Sequence, residues 1–482
     1  MSEFWLAALG MFLVLEGALP LLAPSAWRDF FTRVAAMRDG QIRFMGLAAT
    51  ALGFALLALS ELKEPVCPPS RERRDFAKIP PMARWLLPEN IADVLPSEAR
   101  RIENLRRSLL DLFRAYGYVL VIPPLIEHLD SLLTGSGREL GSTTFQLVDQ
   151  LSGRTLGVRA DMTPQVARID AHLLDRAGVT RLCYSGSTLH TRPAGIFASR
   201  EPLQIGAELF GHAGIEADLE IIELMVQALG RGGVSQVRID LCHMGIVPAL
   251  FSAFEREVAA LDLDAESLYG LLLSKDLPGL RERLGKNGGE FARACLALPH
   301  LYGQVEAGDR SGVIESARHD LPRVPAVGRA LDDLERLCAS PTWRRHPGVA
   351  LSIDLADLRG YRYHNGVSFA AYVDGRADAL GRGGRYDGVG KAFGRARAAT
   401  GFSLELRELA SMLPGADPDP AIRAPWSDDA ALAQRVAELR AAGYVVIQAL
   451  PGHEEEPQEF ACDRELVLRH GRWELGPLKR VS

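Results

Sequence analysis

The chain has no paired cysteines. Its six, Cys67, Cys183, Cys242, Cys295, Cys338 and Cys462, stand singly, with no Cys-x-x-Cys spacing. That excludes a disulfide framework and a zinc knuckle, and it fits a reducing compartment. Eleven histidines include no His-Glu-x-x-His run, so no metal centre is expected. Positive charge is in deficit: 55 Lys and Arg face 61 Asp and Glu, a net charge of −6. Nothing in that balance favours a nucleic-acid partner. Residues 241–340, rich in Leu and Ala, show no repeat of fixed period. What remains is globular in character. Hydrophobic residues make up 47% and charged residues 24% of 482 positions, enough for two or three domains with a large core.

Two apolar runs mark the head. Residues 4–23, FWLAALGMFLVLEGALPLLA, and 44–62, FMGLAATALGFALLALSEL, each reach bilayer-spanning length. Four arginines, Arg28, Arg33, Arg38 and Arg43, lie between them. The pattern predicts a helical transmembrane hairpin rather than a signal peptide, because no basic leader precedes it and a second apolar run follows. Gly46, Ala48, Ala49, Gly53 and Ala55 suit close helix packing, and Glu16 needs a partner or a proton there. Residues 65–81, PVCPPSRERRDFAKIPP, read as a linker. Met82 then opens a stretch suited to start a separate soluble protein, as if two neighbouring reading frames were joined.

The body carries its signals in order. Ile102, Leu105, Leu109, Leu112 and Phe113 form one helical stripe over 99–116. The strand-like GYVLVIPPLIE (117–127) follows. Phe145–Val148 and Thr155–Arg159 predict a hairpin, and Thr163-Pro164 predicts a helix start after it. Residues 203–209 alternate: Leu203, Ile205, Ala207 and Leu209 on one face, Gln204, Gly206 and Glu208 on the other. The second face fits a small polar pocket in which Gly206 lets a ligand approach the backbone; it equally fits an ordinary half-exposed strand. Residues 241–340 read as mostly helical, and the tail as one helix (Asp429–Ala441), one strand (Tyr444–Leu450) and a polar end. The acidic GHEEEPQE (452–459) reads as a solvated loop.

Several of these segments resemble histidyl-type class II aminoacyl-tRNA synthetases. Gln204-x-Gly206-x-Glu208 before Phe210-Gly211 is similar to motif 2, and the 99–127 helix and strand to motif 1. Arg359-Gly360-x-x-Tyr363 and Gly383-Gly384-Arg385-Tyr386-Asp387-Gly388 are similar to two histidine-specific signatures. Asp161 and Thr163 match an element whose Glu and Thr hold the amino group of histidine. The resemblance implies a histidine site of Asp161, Thr163, Gln204, Glu208, Arg359, Tyr363, Gly383 and Gly384, with Arg359 on the carboxylate. A guanidinium fork suits that role; by its residue type alone Arg359 also fits a surface ion pair. His364 stands where the pattern has Tyr. Motif 1 implies a homodimer.

The departures matter as much. The phosphate-clamping arginine of motif 2 becomes Leu189, with Thr191 at the glutamate position, and motif 3 reads Glu405-Leu406-Arg407-Glu408, a carboxylate where a cation belongs. One oxyanion stabiliser is worth about 10²–10³ in rate, so adenylate chemistry is not expected and no catalytic residue is assigned. A synthetase-like core without clamps, and with a short tail in place of the anticodon domain, resembles the ATP phosphoribosyltransferase regulatory subunits. The closing ACDRELVL fits as well. That resemblance implies a non-catalytic subunit without cofactor. Its partner is a short-form catalytic transferase, its effector is histidine, and the complex takes the first step of histidine biosynthesis under feedback. Alternatives are an active histidyl-tRNA synthetase and a membrane-anchored histidine sensor. The expected fold is α+β, a class II synthetase-like antiparallel sheet with helices and a helical insertion, behind a transmembrane hairpin. Expected divisions are 1–64 hairpin, 65–87 linker, 88–410 core with its insertion at about 241–340, and 411–482 tail. Residues 82–482 are expected in the cytoplasm, held at the inner membrane if the hairpin belongs to the native chain.

Overall fold

In the computed structural model, the described residues are 86–478, apart from 135–136, 194, 196–197, 262, 286–288, 306–311, 415–419 and 454–459. The expected hairpin at 4–62, its linker and most of the acidic loop lie outside them. No helix among the described residues is long and apolar enough to cross a membrane. Leu87–Ser482 forms one compact unit.

Its first helix, Pro96–Ala115, has Pro at its start, Glu98 in the first turn and Arg114 in the last. Each suits the helix end where it lies. The stripe Ile102, Leu105, Leu109, Leu112 and Phe113 is buried throughout, about 1.5–3 kcal/mol for each large side chain. Phe113 meets Phe402 edge-on, with ring centroids 5.9 Å apart. The strand expected over 117–127 is instead two short ones, β1 (Val119–Leu120) and β2 (Ile126–His128), in different sheets. Pro123 and Pro124 have no N–H for a ladder. Their carbonyls accept from the buried Arg159 and from Gln165.

The expected hairpin forms as β3 (Phe145–Val148) and β4 (Thr155–Val158), with β2 alongside. Then come β5 (Thr180–Ser187), β6 (Leu203–Phe210), β7 (Val237–His243), β8 (Tyr302–Val305), β9 (Val349–Asp354), β10 (Val367–Tyr372), β11 (Gly381–Arg385) and β12 (Ala399–Glu405). They join β1 in a nine-stranded sheet of order β1-β5-β6-β12-β11-β10-β7-β9-β8. Only β1·β5 and β7·β9 are parallel. Between β7 and β9 the chain runs through several helices and β8. One sheet face packs Ile205, Ala207, Leu209, Leu241 and Phe402 into the main core with helix Ile215–Arg231. The other face is polar and carries the site.

The tail corrects the expectation of a single strand. Residues 420–477 form a four-stranded sheet, with β13 (Pro420–Pro425), β14 (Val445–Ala449), β15 (Ala461–Arg469) and β16 (Arg472–Pro477) in the order β14-β13-β15-β16. Helix Ala430–Ala441 is capped by Asp429 and packs Leu432, Val436 and Leu439 against it. β15 and β16 escaped the sequence because each buries a single residue, Leu466 in β15 and Gly476 in β16, and β13 because its buried Ala421, Ile422 and Ala424 do not alternate and lie between Pro420 and Pro425. Polar strands with one buried position give almost no alternation signal.

Candidate ligand-binding site

The polar face is built by register. Glu208 pairs across the sheet with Gly401, Gly401 with Gly384, Gly384 with Ser368, and Ser368 with Cys242. Paired residues project to one side, and so do alternate residues along a strand. Gly206, Ser403, Arg382, Ala370 and Asp240 therefore form the next row on the same face.

At one end stands a carboxylate wrapped in phenols. Glu208 is 1% exposed. Tyr184 and Tyr386 donate to it at 3.0 and 2.5 Å, and Thr163 Oγ1 lies 3.1 Å from Tyr184 Oη. Burial pushes the Glu208 carboxyl up to about 8, against the two tyrosine hydrogen bonds, and the neighbouring Asp161 charge adds to the rise. Gly401 is glycine because the Glu208 carboxylate occupies the place of a Cβ. Gly206 corrects an expectation. Its gap does not admit a ligand to the backbone, because the Tyr184 phenol fills it. β6 is also buried on both faces from Ile205 onward rather than half exposed.

Asp161 accepts from Gln204 Nε2 at 2.8 Å and from the Thr163 N–H at 3.1 Å. Gln204 Oε1 accepts from the Met162 N–H at 2.9 Å. Thr163 does not cap its helix, Thr163–Arg168; Met162 is the capping position. Tyr363 stacks obliquely on Tyr386, with centroids 4.9 Å apart. Its phenol is buried without a hydrogen-bond partner. Burial near Glu208 pushes all three tyrosine hydroxyls well up, keeping them protonated donors.

At the other end a cavity of about 130 Å³ is lined by Asp240, Asp357, Arg359, His364, Ser368 and Arg382, among others. Arg359 makes a bidentate pair with Asp357 at 2.6 and 2.7 Å, which raises its pKa. His364 also lines a second cavity of about 460 Å³ on the side of Tyr361 and Tyr363. Its buried ring is held neutral, its pKa lowered to about 4, and Nδ1 has no partner.

The eight residues expected at the site thus fall into two groups, and Gly383, paired with Phe402 and Phe369, belongs to the core face of the sheet and meets the cavity only through its backbone. Asp161, Thr163, Gln204 and Glu208 form one network with Tyr363 near it. Arg359 and Gly383 line the cavity. Gly384 lies between them, under the His364 ring. Tyr184, Tyr386 and Arg382 were missed. Tyr386 sits inside the Gly-Gly-Arg-Tyr-Asp-Gly run and was in reach; Tyr184 and Arg382 needed the register. Arg385 of the same run is structural, in a buried pair with Asp218 at 2.6 Å.

The motif 3 residues are occupied at element ends. Glu405 accepts from the Leu203 and Glu408 N–H groups at 2.8 and 2.5 Å. Arg407 reaches the Ala92 carbonyl, and Glu408 lies 3.6 Å from Arg376. This arrangement gives a small polar face with a buried acidic and phenolic end, Glu208 and Asp161 among tyrosines, and an end that holds guanidiniums, Arg359 and Arg382.

A family model described as histidyl-tRNA synthetase matches residues 90–409. One described as the ATP phosphoribosyltransferase subunit HisZ C-terminal domain matches 419–476. A third, an uncharacterized protein conserved in bacteria, matches 5–60. The ATP phosphoribosyltransferase regulatory subunit of Burkholderia multivorans is 58% identical over 396 residues, 82% of this chain and 100% of that protein. That of Ralstonia nicotianae is 58% identical over 398 residues, 83% of this chain and 99% of that protein. A crystal structure from Bacillus halodurans, titled as an ATP phosphoribosyltransferase regulatory subunit/histidyl-tRNA synthetase, superposes with TM-score 0.64 and 27% identity. It covers 76% of this chain and 92% of that one. Histidyl-tRNA synthetase from Nostoc sp. PCC 7120 shares the fold, with TM-score 0.58 and 18% identity over 80% of this chain and 91% of that one. With a class II synthetase-like α+β body matched along its whole length by such relatives, the chain belongs to the family of ATP phosphoribosyltransferase regulatory subunits.

Proposed function

We propose that this non-catalytic regulatory subunit binds histidine on the polar face of its nine-stranded sheet and transmits that binding to a catalytic phosphoribosyltransferase partner. The observation that carries the reading is the buried carboxylate of Glu208, held by two tyrosines beside a third phenol, Tyr363, that has no partner. A buried, unpaired donor is costly, and an imidazole nitrogen would satisfy it. Asp161 then takes the ammonium, and a guanidinium the carboxylate, so the zwitterion is buried with its charges matched. The site would be kept for sensing while triphosphate clamps are absent.

The test is reconstitution. The full chain is co-purified with a short-form ATP phosphoribosyltransferase catalytic subunit, and turnover is followed with and without histidine. Raised turnover that histidine suppresses is expected. Replacing Glu208 by Gln should weaken suppression by about tenfold or more and leave assembly intact. Histidine-insensitive wild type would overturn the reading. Pyrophosphate exchange with histidine and ATP should stay at background.

Two further parts follow from the sequence. The chain forms a homodimer through the motif 1-like stretch, where Val119, Leu120, Ile122 and Leu125 are exposed. The apolar runs at 4–23 and 44–62 anchor the body to the inner membrane, a reading supported by their hydropathy. Fractionation of native cells tests the anchor. Peptides spanning 65–81 test whether head and body are one chain.

A further inference from the structure

The charges around the smaller cavity do not balance. Asp357 is taken by Arg359. Asp240 is taken by Arg238 at 2.8 Å and by the Ser352 hydroxyl. Arg382 lines the same cavity, yet among the described residues no carboxylate, carbonyl or hydroxyl pairs with it. Its guanidinium lies over the face of Tyr372, 5.9 Å from the ring centroid. Arg238 and Arg359 approach the same ring at 5.2 and 5.9 Å. Three guanidiniums therefore gather round one phenol, and two of them have counterions. The third leaves the cavity with an uncompensated positive charge, which an anion would neutralise.

Position links this charge to the Glu208 end. Arg382 sits on β11, in the row of Ser403 and Gly206 and next to the row of Gly384, Gly401 and Glu208. Two strand spacings separate β11 from β6, about 10 Å. An amino acid of histidine's length, met by an arginine arm, covers that span. Arg359 is less free. Drawing it away from Asp357 would strand a carboxylate that is 13% exposed, and breaking such a pair is costly.

We propose that Arg382, rather than Arg359, is the guanidinium that takes the carboxylate of the ligand. Arg359 is then a positioning residue that fixes Asp357 and the 359–366 loop. This rests on the histidine reading above, and the test separates the two. Calorimetric titration of the full chain compares histidine with histidinol, which keeps the ammonium and imidazole and replaces the carboxylate by a hydroxymethyl group. Wild type should prefer histidine. Arg382→Ala should weaken histidine by about ten- to a hundredfold, the size of one lost charge-assisted contact. It should leave histidinol within about threefold, so the preference collapses. Arg382→Lys should restore part of it. Arg359→Ala should weaken both ligands alike and keep their ratio. Thermal unfolding of Arg382→Ala should match wild type, since no ion pair is lost. An unchanged histidine-to-histidinol ratio in Arg382→Ala, or its collapse in Arg359→Ala alone, overturns the assignment while the histidine reading stands. A wild type that binds neither ligand removes both.

Discussion

Two buried titratable side chains give the site a pH signature. Glu208 has its pKa raised to about 8 by burial. The native state therefore holds a proton there that the unfolded chain has released, and stability from this group falls as pH rises from about 4.5 to 8. The fall should be on the order of a few kcal/mol. His364 works the other way. Its pKa is lowered to about 4, so its stabilising neutral form is present above about 6.5 and stability is lost as pH falls toward 4. Urea unfolding of wild type and Glu208→Gln between pH 5 and 8.5 isolates the first effect. The variant should lack the decline seen in wild type toward alkaline pH. Parallel curves would place Glu208 in a wetter setting than its 1% exposure indicates.

Strand pairing, rather than any one residue, makes the pocket. β12 supplies Gly401 where β6 supplies Glu208, and β6 supplies Gly206 where β5 supplies Tyr184. Each long polar side chain lies over a glycine on the neighbouring strand. A Gly401→Ala methyl would collide with the Glu208 carboxylate and the Ala207 carbonyl. Overpacking of this kind costs about 1–3 kcal/mol, and the variant should also lose histidine binding. In the Gly401→Ala, Glu208→Ala double variant the two costs should be less than additive, because removing the carboxylate makes room for the methyl. Chemical denaturation of the four proteins measures the coupling. Additive costs would mean that Ala207 alone resists the methyl.

At the scale of the molecule, the stretch proposed as a dimer seam exposes apolar side chains. Ile122 is 80% exposed. The proposed homodimer would cover such side chains. Ile122→Asp should convert dimer to monomer in analytical ultracentrifugation at micromolar concentration; a dimer unaffected by the change would place the interface elsewhere. Coupling between subunits has a thermodynamic signature of its own. If histidine inhibits the assembled transferase by about 1–3 kcal/mol, the substrates of that transferase must weaken histidine binding by the same factor. Titrating histidine into the complex with and without those substrates measures it. Equal affinity in both would leave inhibition without the proposed linkage.

Much of this was legible from residues alone. The stripe at 102–113, the alternation at 203–209 and the hairpin expected at 145–159 are local patterns, and local patterns follow from helix and strand periodicity. They gave the first helix, the hairpin at 145–158 and the strand at 203–210, while the α+β class came from the resemblance to the synthetases. The departures at Leu189 and Glu408 were visible against the synthetase pattern that the chain resembles, because a residue type can be compared without coordinates. The pairing of Arg359 with Asp357, the packing of Tyr184 into the gap at Gly206 and the isolation of Arg382 could not be read that way. Each depends on register between strands distant in sequence, and a register sets which side chains share a face only when the sheet is assembled. Three strands of the tail escaped for a related reason: β15 and β16 bury one residue each and β13 buries its residues without alternation, so only their pairing over the helix Ala430–Ala441 makes them a sheet.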